Sequence, residues 1–274
     1  MQTPKSLLLH LDGSARTVER IKLARQLAET FDAEVTGQPS TLSALMRYPL
    51  SIGAAAEAVA IMQEIDKAAR DKMHATFMAH SAGSPRLHWA EQQSDGPWGF
   101  ARRALYTDLM ILGQRDPDDP MDWELPGDFL PSVLVQSGRP ALVLPYAGPI
   151  GPIGHNVLVA WKETREAARA VTAALPWLRT ASRVHVVAYG EEAGNSLLSL
   201  QNYLRIQGVA NATLHSGGGK DDDAGNKLLS FAADVSADLL VMGCYGHSRA
   251  REWVMGGATR SILQWMTLPV LMAH

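Results

Sequence analysis

One glycine-rich stretch near the C-terminus has the residue types and spacing of a phosphate-binding loop. It runs from Gly243 to Thr259 and follows an apolar segment that predicts a strand. Gly243 and Gly246 let a ligand approach the backbone amides closely, and Gly256 and Gly257 open a predicted helix whose first N–H groups lack partners within the helix. Such amides favour an anion by about 0.3–1 kcal/mol per interaction. We therefore expect an anionic ligand at this stretch.

The candidate binding residues are the loop glycines and the groups around them. Arg249, Arg251 and Arg260 supply local positive charge. The residues expected to contact the ligand are Gly243, Gly246, His247, Arg249, Gly256, Gly257, Ala258 and Thr259. The alternative is that these glycines only make turns, as isolated loop glycines do. Their position between a strand and a helix start favours the ligand interpretation.

An acidic run occupies the corresponding place in the first half of the chain. No second loop glycine follows Gly113 closely, and one arginine, Arg115, faces six carboxylates: Asp116, Asp118, Asp119, Asp122, Glu124 and Asp128. At an effective dielectric of about 20, one like-charge pair about 4 Å apart costs about 4 kcal/mol. We predict that this half binds no triphosphate. We interpret the run as a solvated loop rather than a divalent-cation site, because it lacks the pattern of a calcium-binding loop.

Other catalytic or metal-binding chemistry has no support in the sequence. The nine histidines form no H-x3-H or HExxH pair, and there is no Gly-x-Ser-x-Gly elbow, Walker loop or G-x-G-x-x-G element. A single cysteine, Cys244, excludes an internal disulfide and fits a reducing compartment. We therefore predict no catalytic residue and no metal, with weak ATP hydrolysis as the most that the chain would catalyse.

Three sequence matches in the same order indicate an internal duplication. LLLHLDGS, starting at Leu7, matches VLVAWKET, starting at Val157. TDLMILG from Thr107 matches ADLLVMG from Ala237, and RPALVL from Arg139 matches LPVLMA from Leu268. Short apolar runs alternate with helical patterns in each half, which predicts βαβ units and parallel sheets. Ser14 and Thr164 are the predicted N-caps of the first helix in each half, and a long alanine-rich helix is predicted over 54–80.

Length and composition set the domain count and exclude some partners. The 274 residues suffice for two domains, which we assign to 1–147 and 154–274 with a Gly/Pro-rich connector between them. Hydrophobic residues make up 46% of the chain and the net charge is −3, so nothing favours nucleic acid or an anionic membrane in general. No apolar stretch reaches 18 residues. We expect a cytoplasmic protein.

The loop spacing Gly243-x2-Gly246-x9-Gly256 resembles the G-x2-G-x9-G-[S/T] signature of the universal stress protein family. The final strand from Leu268 and the tract from Asp12 to Ser14 are similar to that family as well, so the resemblance extends over both halves. It implies an α/β fold of two tandem doubly wound parallel-sheet domains, each with five strands in the order 3-2-1-4-5, as in adenine nucleotide alpha hydrolase-like proteins.

The same resemblance implies a function. A stress-response protein would bind ATP or another adenine nucleotide with its phosphates on the loop 243–259. The two halves would pair with each other through their last strands, as two monomers would, and assembly into a homodimer stays open.

Two departures from the family pattern leave the function divided between alternatives. Gly257 stands where the signature has Ser or Thr, and Trp161 and Lys162 stand where a small residue and an Asp would receive the adenosine. A tryptophan there either stacks on adenine or fills the pocket. The chain is thus either a nucleotide-binding protein that acts by changing protein partners, or a nucleotide-independent tandem scaffold in which both sites have decayed.

Overall fold

A computed structural model describes residues 3–48, 56–91, 98–119, 121, 124–190, 193–217, 223–246 and 257–274. The chain forms two compact units, Pro4–Ser137 and Gly138–His274, the latter together with Thr3. Within the described ranges, no helix is both long enough and apolar enough to cross a membrane.

The first unit alternates strands and helices from its beginning. Its elements are β1 (Ser6–Leu11), α1 (Thr17–Phe31), β2 (Glu34–Pro39), α2 (Ala44–Arg47), α3 (Ala56–Ser81), β3 (Leu87–Trp89), α4 (Trp98–Ala104), β4 (Leu109–Gly113) and α5 (Phe129–Ser137). The strands lie in the order β3-β2-β1-β4, and every pair is parallel. Leu7, Leu8 and Leu9 in succession are fully buried, so both faces of β1 are covered.

The second unit repeats this pattern after one additional strand. Its elements are β5 (Ala141–Leu144), β6 (Asn156–Ala160), α6 (Arg165–Leu178), β7 (Arg183–Ala188), α7 (Ala193–Ile206), β8 (Ala212–Ser216), α8 (Ala224–Asp234), β9 (Leu239–Gly243), α9 (Ala258–Trp265) and β10 (Val270–Ala273). The strand order is β5-β10-β9-β6-β7-β8. The strands from β6 to β10 therefore have the order 3-2-1-4-5 within their own repeat, and the α/β fold class is confirmed.

The last strands of the two repeats pair with each other inside the second unit. β5 runs antiparallel to β10, with Val143 opposite Val270 and Ala141 opposite Met272. All residues of both strands are buried. Because β9 occupies one edge of β10 and β5 the other, β10 offers no open edge to another strand.

In each repeat, an aspartate just before the fourth strand accepts hydrogen bonds from backbone amides at the start of the first strand. Asp108 accepts hydrogen bonds from the backbone amides of Lys5 and Ser6, at 2.8 and 3.0 Å. Asp238 accepts three, from Gly154, His155 and the residue after it, at 2.7 to 3.0 Å. The carboxylate therefore satisfies amides that have no neighbouring strand to bond to.

We expect Asp238→Ala to lower the free energy of unfolding by about 1–3 kcal/mol, because several strand-start amides lose a charged acceptor. Urea unfolding followed by circular dichroism measures the change. The control is Asp234→Ala on the exposed side of α8, which should stay within about 0.5 kcal/mol of the parent. Equal losses in both variants would contradict this account of Asp238.

Candidate functional site

The predicted anion site lies where the strand order of the second unit reverses. The chain proceeds from β6 to β7 and β8 on one side, then returns to β9 and β10 on the other, so the switch point falls between β6 and β9. Ligands of doubly wound sheets bind at the carboxyl ends of such strands. The described residues there are 161–167, 243–246 and 257–259. His247, Arg249 and Gly256 lie outside the described residues.

Gly243 is required by packing between a helix and a strand. A Cβ at this position would lie 2.5 Å from the backbone nitrogen of Ala167 and 2.7 Å from the carbonyl carbon of Glu166. The first turn of α6 therefore packs directly on the end of β9. Thr164 caps this turn by accepting a hydrogen bond from the Ala167 amide at 3.3 Å, as the sequence predicted. The need for glycine at 243 thus has an explanation that involves no ligand.

A buried carboxylate faces the second loop glycine. A Cβ at Gly246 would lie 3.2 Å from Glu166 Oε2. The Glu166 side chain is buried, and its Oε1 accepts a hydrogen bond from Arg165 Nε at 2.5 Å. Burial opposes ionisation, but the bond from Arg165 and other local hydrogen bonds hold the pKa of Glu166 below its usual value. Negative charge therefore borders the Gly246 side of the predicted anion site.

The start of α9 forms the other side of the site. Gly257 occupies the N-cap position and has no side chain to cap the helix. Thr259, which is buried, accepts a hydrogen bond at 3.3 Å from the backbone amide of Tyr245. Tyr245 itself has a left-handed backbone conformation, with φ of 55°. The structure therefore brings Gly257, Ala258 and Thr259 beside the end of β9, although the Thr259 hydroxyl serves a structural bond.

Trp161 and Lys162 follow β6 at the same edge of the sheet. The Trp161 amide donates to the Val187 carbonyl at 2.8 Å, which extends the pairing of β6 with β7 by one residue. The indole is partly exposed, but its Nε1 atom is buried and has no hydrogen-bond partner among the described residues. Nearby in the fold, Gly217 lies so close to Tyr189 that a Cβ would overlap its ring. Aromatic side chains thus line the strand ends where adenosine was expected.

The first unit fills the equivalent edge with its own side chains. Asp12, directly after β1, accepts hydrogen bonds at its Oδ1 from Ser14 Oγ and Thr17 Oγ1, both at 2.6 Å, and from Arg20 Nη2 at 2.5 Å. The prediction that Ser14 caps α1 is therefore wrong, because its hydroxyl donates to Asp12 and the N-cap position is Arg16, without a side-chain cap bond. Burial opposes ionisation of Asp12, yet the charge of Arg20 keeps its pKa well below the usual range.

Arg20 also covers the end of β4. A Cβ at Gly113 would overlap the Arg20 guanidinium, so this glycine makes room for a buried arginine. Arg20 is 2% exposed. The side chain therefore lies across the ends of β1 and β4, where the fold would otherwise leave space for a ligand.

One carboxylate of the acidic run is buried in the same place. Glu124 Oε2 accepts a hydrogen bond from the Gly13 amide at 3.2 Å, and its Oε1 lies 3.1 Å from Arg47 Nη1. Arg47 in turn contacts Asp66 at 3.3 Å. Burial raises the pKa of Glu124, although the charge of Arg47 opposes this. The prediction of a solvated loop is thus wrong for Glu124. Its side chain is desolvated and pairs with Arg47, so it is part of the site.

Metal binding has no support among the residues that the structure describes. In these ranges no group of three or more His, Cys, Asp or Glu side chains is arranged to hold an ion. Cys244 is a free cysteine and is buried.

We expect Gly243→Ala to lower the free energy of unfolding by about 1–3 kcal/mol, because the added methyl group must displace the first turn of α6. Gly246→Ala is the matched control, since the contact of its Cβ among the described residues is with the end of the Glu166 side chain, and it should change stability by about 0.5 kcal/mol or less. Thermal and urea unfolding of the two variants measure the difference. A larger loss for Gly246→Ala would refute the packing explanation.

We also expect His10 to make the protein less stable at low pH. His10 packs against Phe100 and Phe129, and burial lowers its pKa from 6.5 to about 4 despite the nearby Asp12 carboxylate. The unfolded chain therefore takes up a proton as pH falls below 6.5 while the folded protein does not, so stability falls until about pH 4. The expected total is about 3 kcal/mol, from 1.36 kcal/mol per pKa unit.

The measurement is urea unfolding across this pH range for the parent protein and for His10→Phe. This variant keeps an aromatic ring in contact with the two phenylalanines. The variant should lose the His10 contribution to the slope. Parallel pH curves for the two proteins would contradict the assignment.

Comparisons with known proteins show a shared fold. A universal stress protein from Archaeoglobus fulgidus is 14% identical, with a TM-score of 0.73 over 99% of this chain and 96% of that one. A functionally unknown protein from Pseudomonas aeruginosa is also 14% identical, with a TM-score of 0.60 over 98% of this chain and 92% of that one. No protein-family model matches the chain.

A shorter match in sequence adds to this likeness. A universal stress protein of Synechocystis sp. is 41% identical over 44 residues, which are 16% of this chain and 15% of that protein. The chain thus matches only a small part of the length of this curated relative. The similarity over the whole length is in the fold.

Proposed function

We propose that this chain, a tandem protein with the universal stress protein fold, is a stress-response protein whose C-terminal unit binds an adenine nucleotide. The fold supplies the premise, and the observation that carries the proposal is the start of α9. There Gly257 begins a helix without a side-chain cap, beside the end of β9 and at the switch point of the sheet. Helix-start amides in such a place favour a phosphate group.

The charges around the site indicate where the phosphates would lie. The buried Glu166 carboxylate faces Gly246 and would repel an anion there. Arg260, which is exposed in the first turn of α9, attracts one. We therefore place the phosphates over Gly257 to Thr259 rather than over Gly246. The adenine would lie toward Trp161, whose indole nitrogen has no hydrogen-bond partner in the part of the chain that the structure describes.

The N-terminal unit takes no part in nucleotide binding under this proposal. Arg20 covers the ends of β1 and β4, and the Glu124 carboxylate lies on the Gly13 amide. A triphosphate would have to displace both side chains and bring further negative charge against Asp12 and Glu124. The cost of burying unpaired charge makes this unfavourable.

The second candidate function is a nucleotide-independent tandem scaffold. The buried Glu166 carboxylate favours this alternative, because it places negative charge at the loop glycine that would approach a phosphate. In that case the protein would act only through its contacts with protein partners. No general base is assigned in either case, so the chain would not be an efficient hydrolase.

Isothermal titration with ATP, ADP and AMP tests the nucleotide proposal. The parent protein should bind, Gly257→Asn should bind more weakly because its capping oxygen occupies a helix-start amide, and Gly257→Asp should bind at least tenfold more weakly than Gly257→Asn. Asn and Asp have nearly the same shape and cap a helix equally well, so the pair isolates the effect of one negative charge at the helix start. Product analysis for ADP in the same samples measures hydrolysis.

Absence of binding by the parent protein, or equal binding by the two variants, would remove the nucleotide from this site. The first outcome would leave the scaffold function. The second would place the ligand away from Gly257.

A further inference from the structure

The N-terminal unit contains a complete site for a carboxylate, and its occupant is a residue of the chain. The Gly13 amide and Arg47 Nη1 donate to the two oxygens of Glu124, at 3.2 and 3.1 Å. The side chains of Arg47 and Glu124 are only 4% and 3% exposed. A buried guanidinium and a backbone amide directed at one carboxylate are the groups that recognise this chemistry in ligands. Gly13 lies two residues after the end of β1, at the edge where doubly wound sheets bind their ligands.

Glu124 differs from the other carboxylates of its loop. The described members of the run are Asp116, Asp118, Asp119 and Asp128, and none of them is buried. Apart from its side chain, Glu124 is held by a backbone bond of 2.7 Å from the Leu42 amide to its carbonyl. One side chain therefore anchors a solvated segment in a buried position beside the Arg47 guanidinium.

We propose that the pocket formed by the Gly13 amide and the Arg47 guanidinium is a binding site for a small monocarboxylate, and that Glu124 is its built-in competitor. This site is separate from the nucleotide site of the C-terminal unit and does not depend on it.

The charge balance of the cluster selects the ligand class. Arg20 pairs with Asp12, while Arg47 pairs with Glu124 and Asp66. His10 is neutral because its pKa is about 4. A monocarboxylate ligand that takes the place of the Glu124 side chain would leave the net charge of the cluster unchanged. A phosphate would add buried negative charge without a partner, which costs more than it gains.

The test uses the full chain with Glu124→Ala, and acetate as the probe. The variant should bind acetate in calorimetry with a dissociation constant in the millimolar range, and its melting temperature should rise in acetate relative to chloride at equal ionic strength. Glu124→Gln, which fills the pocket without a charge, and Glu124→Ala with Arg47→Met should not respond. The parent protein should bind acetate more weakly than Glu124→Ala, because the tethered carboxylate competes for the same two donors.

If Glu124→Ala does not fold alone, recovery of its far-ultraviolet circular dichroism in acetate but not in chloride supports the site, and no recovery overturns it. A folded variant that ignores acetate overturns it as well. An equal response after removal of Arg47 assigns the effect to general salt stabilisation and overturns the proposal. Nucleotide titration of the same variants reports on the C-terminal unit separately.

Discussion

A parallel sheet that is covered on both faces leaves unsatisfied backbone groups at the two ends of its strands, and this constraint organises both units. At each end, carboxylate side chains bond to some of these backbone groups. Asp108 and Asp238 accept hydrogen bonds from the amides at the start of the first strand in each repeat. At the opposite end, Asp12 and Glu124 bind amides and arginines in one unit, and Glu166 lies beside the loop glycine in the other. The remaining polar surface at these ends is what a ligand can use.

The two repeats have diverged at the end where ligands bind. In the first repeat, buried Arg20 packs against Gly113, and buried Glu124 accepts a hydrogen bond from the Gly13 amide. Protein groups therefore satisfy one another there. In the second, the only ion pair described at that edge joins Glu166 to the exposed Arg165, and α9 begins at a bare glycine. The two copies of one duplicated fold therefore differ chemically at this edge. Assigning one ligand to both halves by symmetry would be a mistake.

The doubled architecture was predictable because it depends on local patterns that occur twice in the same order. Apolar runs ending in polar turns gave the strands, and Thr164 capped its helix as expected. The roles of Glu124 and Glu166 were not predictable in this way. Glu124 lies 111 residues from Gly13, and no local pattern relates the two. Gly243 was identified as necessary, but its need comes from α6, which only the packed structure reveals. The contacts of His247, Arg249 and Gly256 stay predictions.

The pairing of β5 with β10 has a consequence for how the chain can be divided. A fragment that starts after the Gly/Pro connector contains the whole second repeat but lacks β5. It would expose a row of unpaired backbone N–H and C=O groups along β10, and the nearest substitute would be the same strand of another molecule. Fusion of the two repeats thus does more than double a domain. It supplies each molecule with its own covering strand, at a local concentration that no second molecule can match.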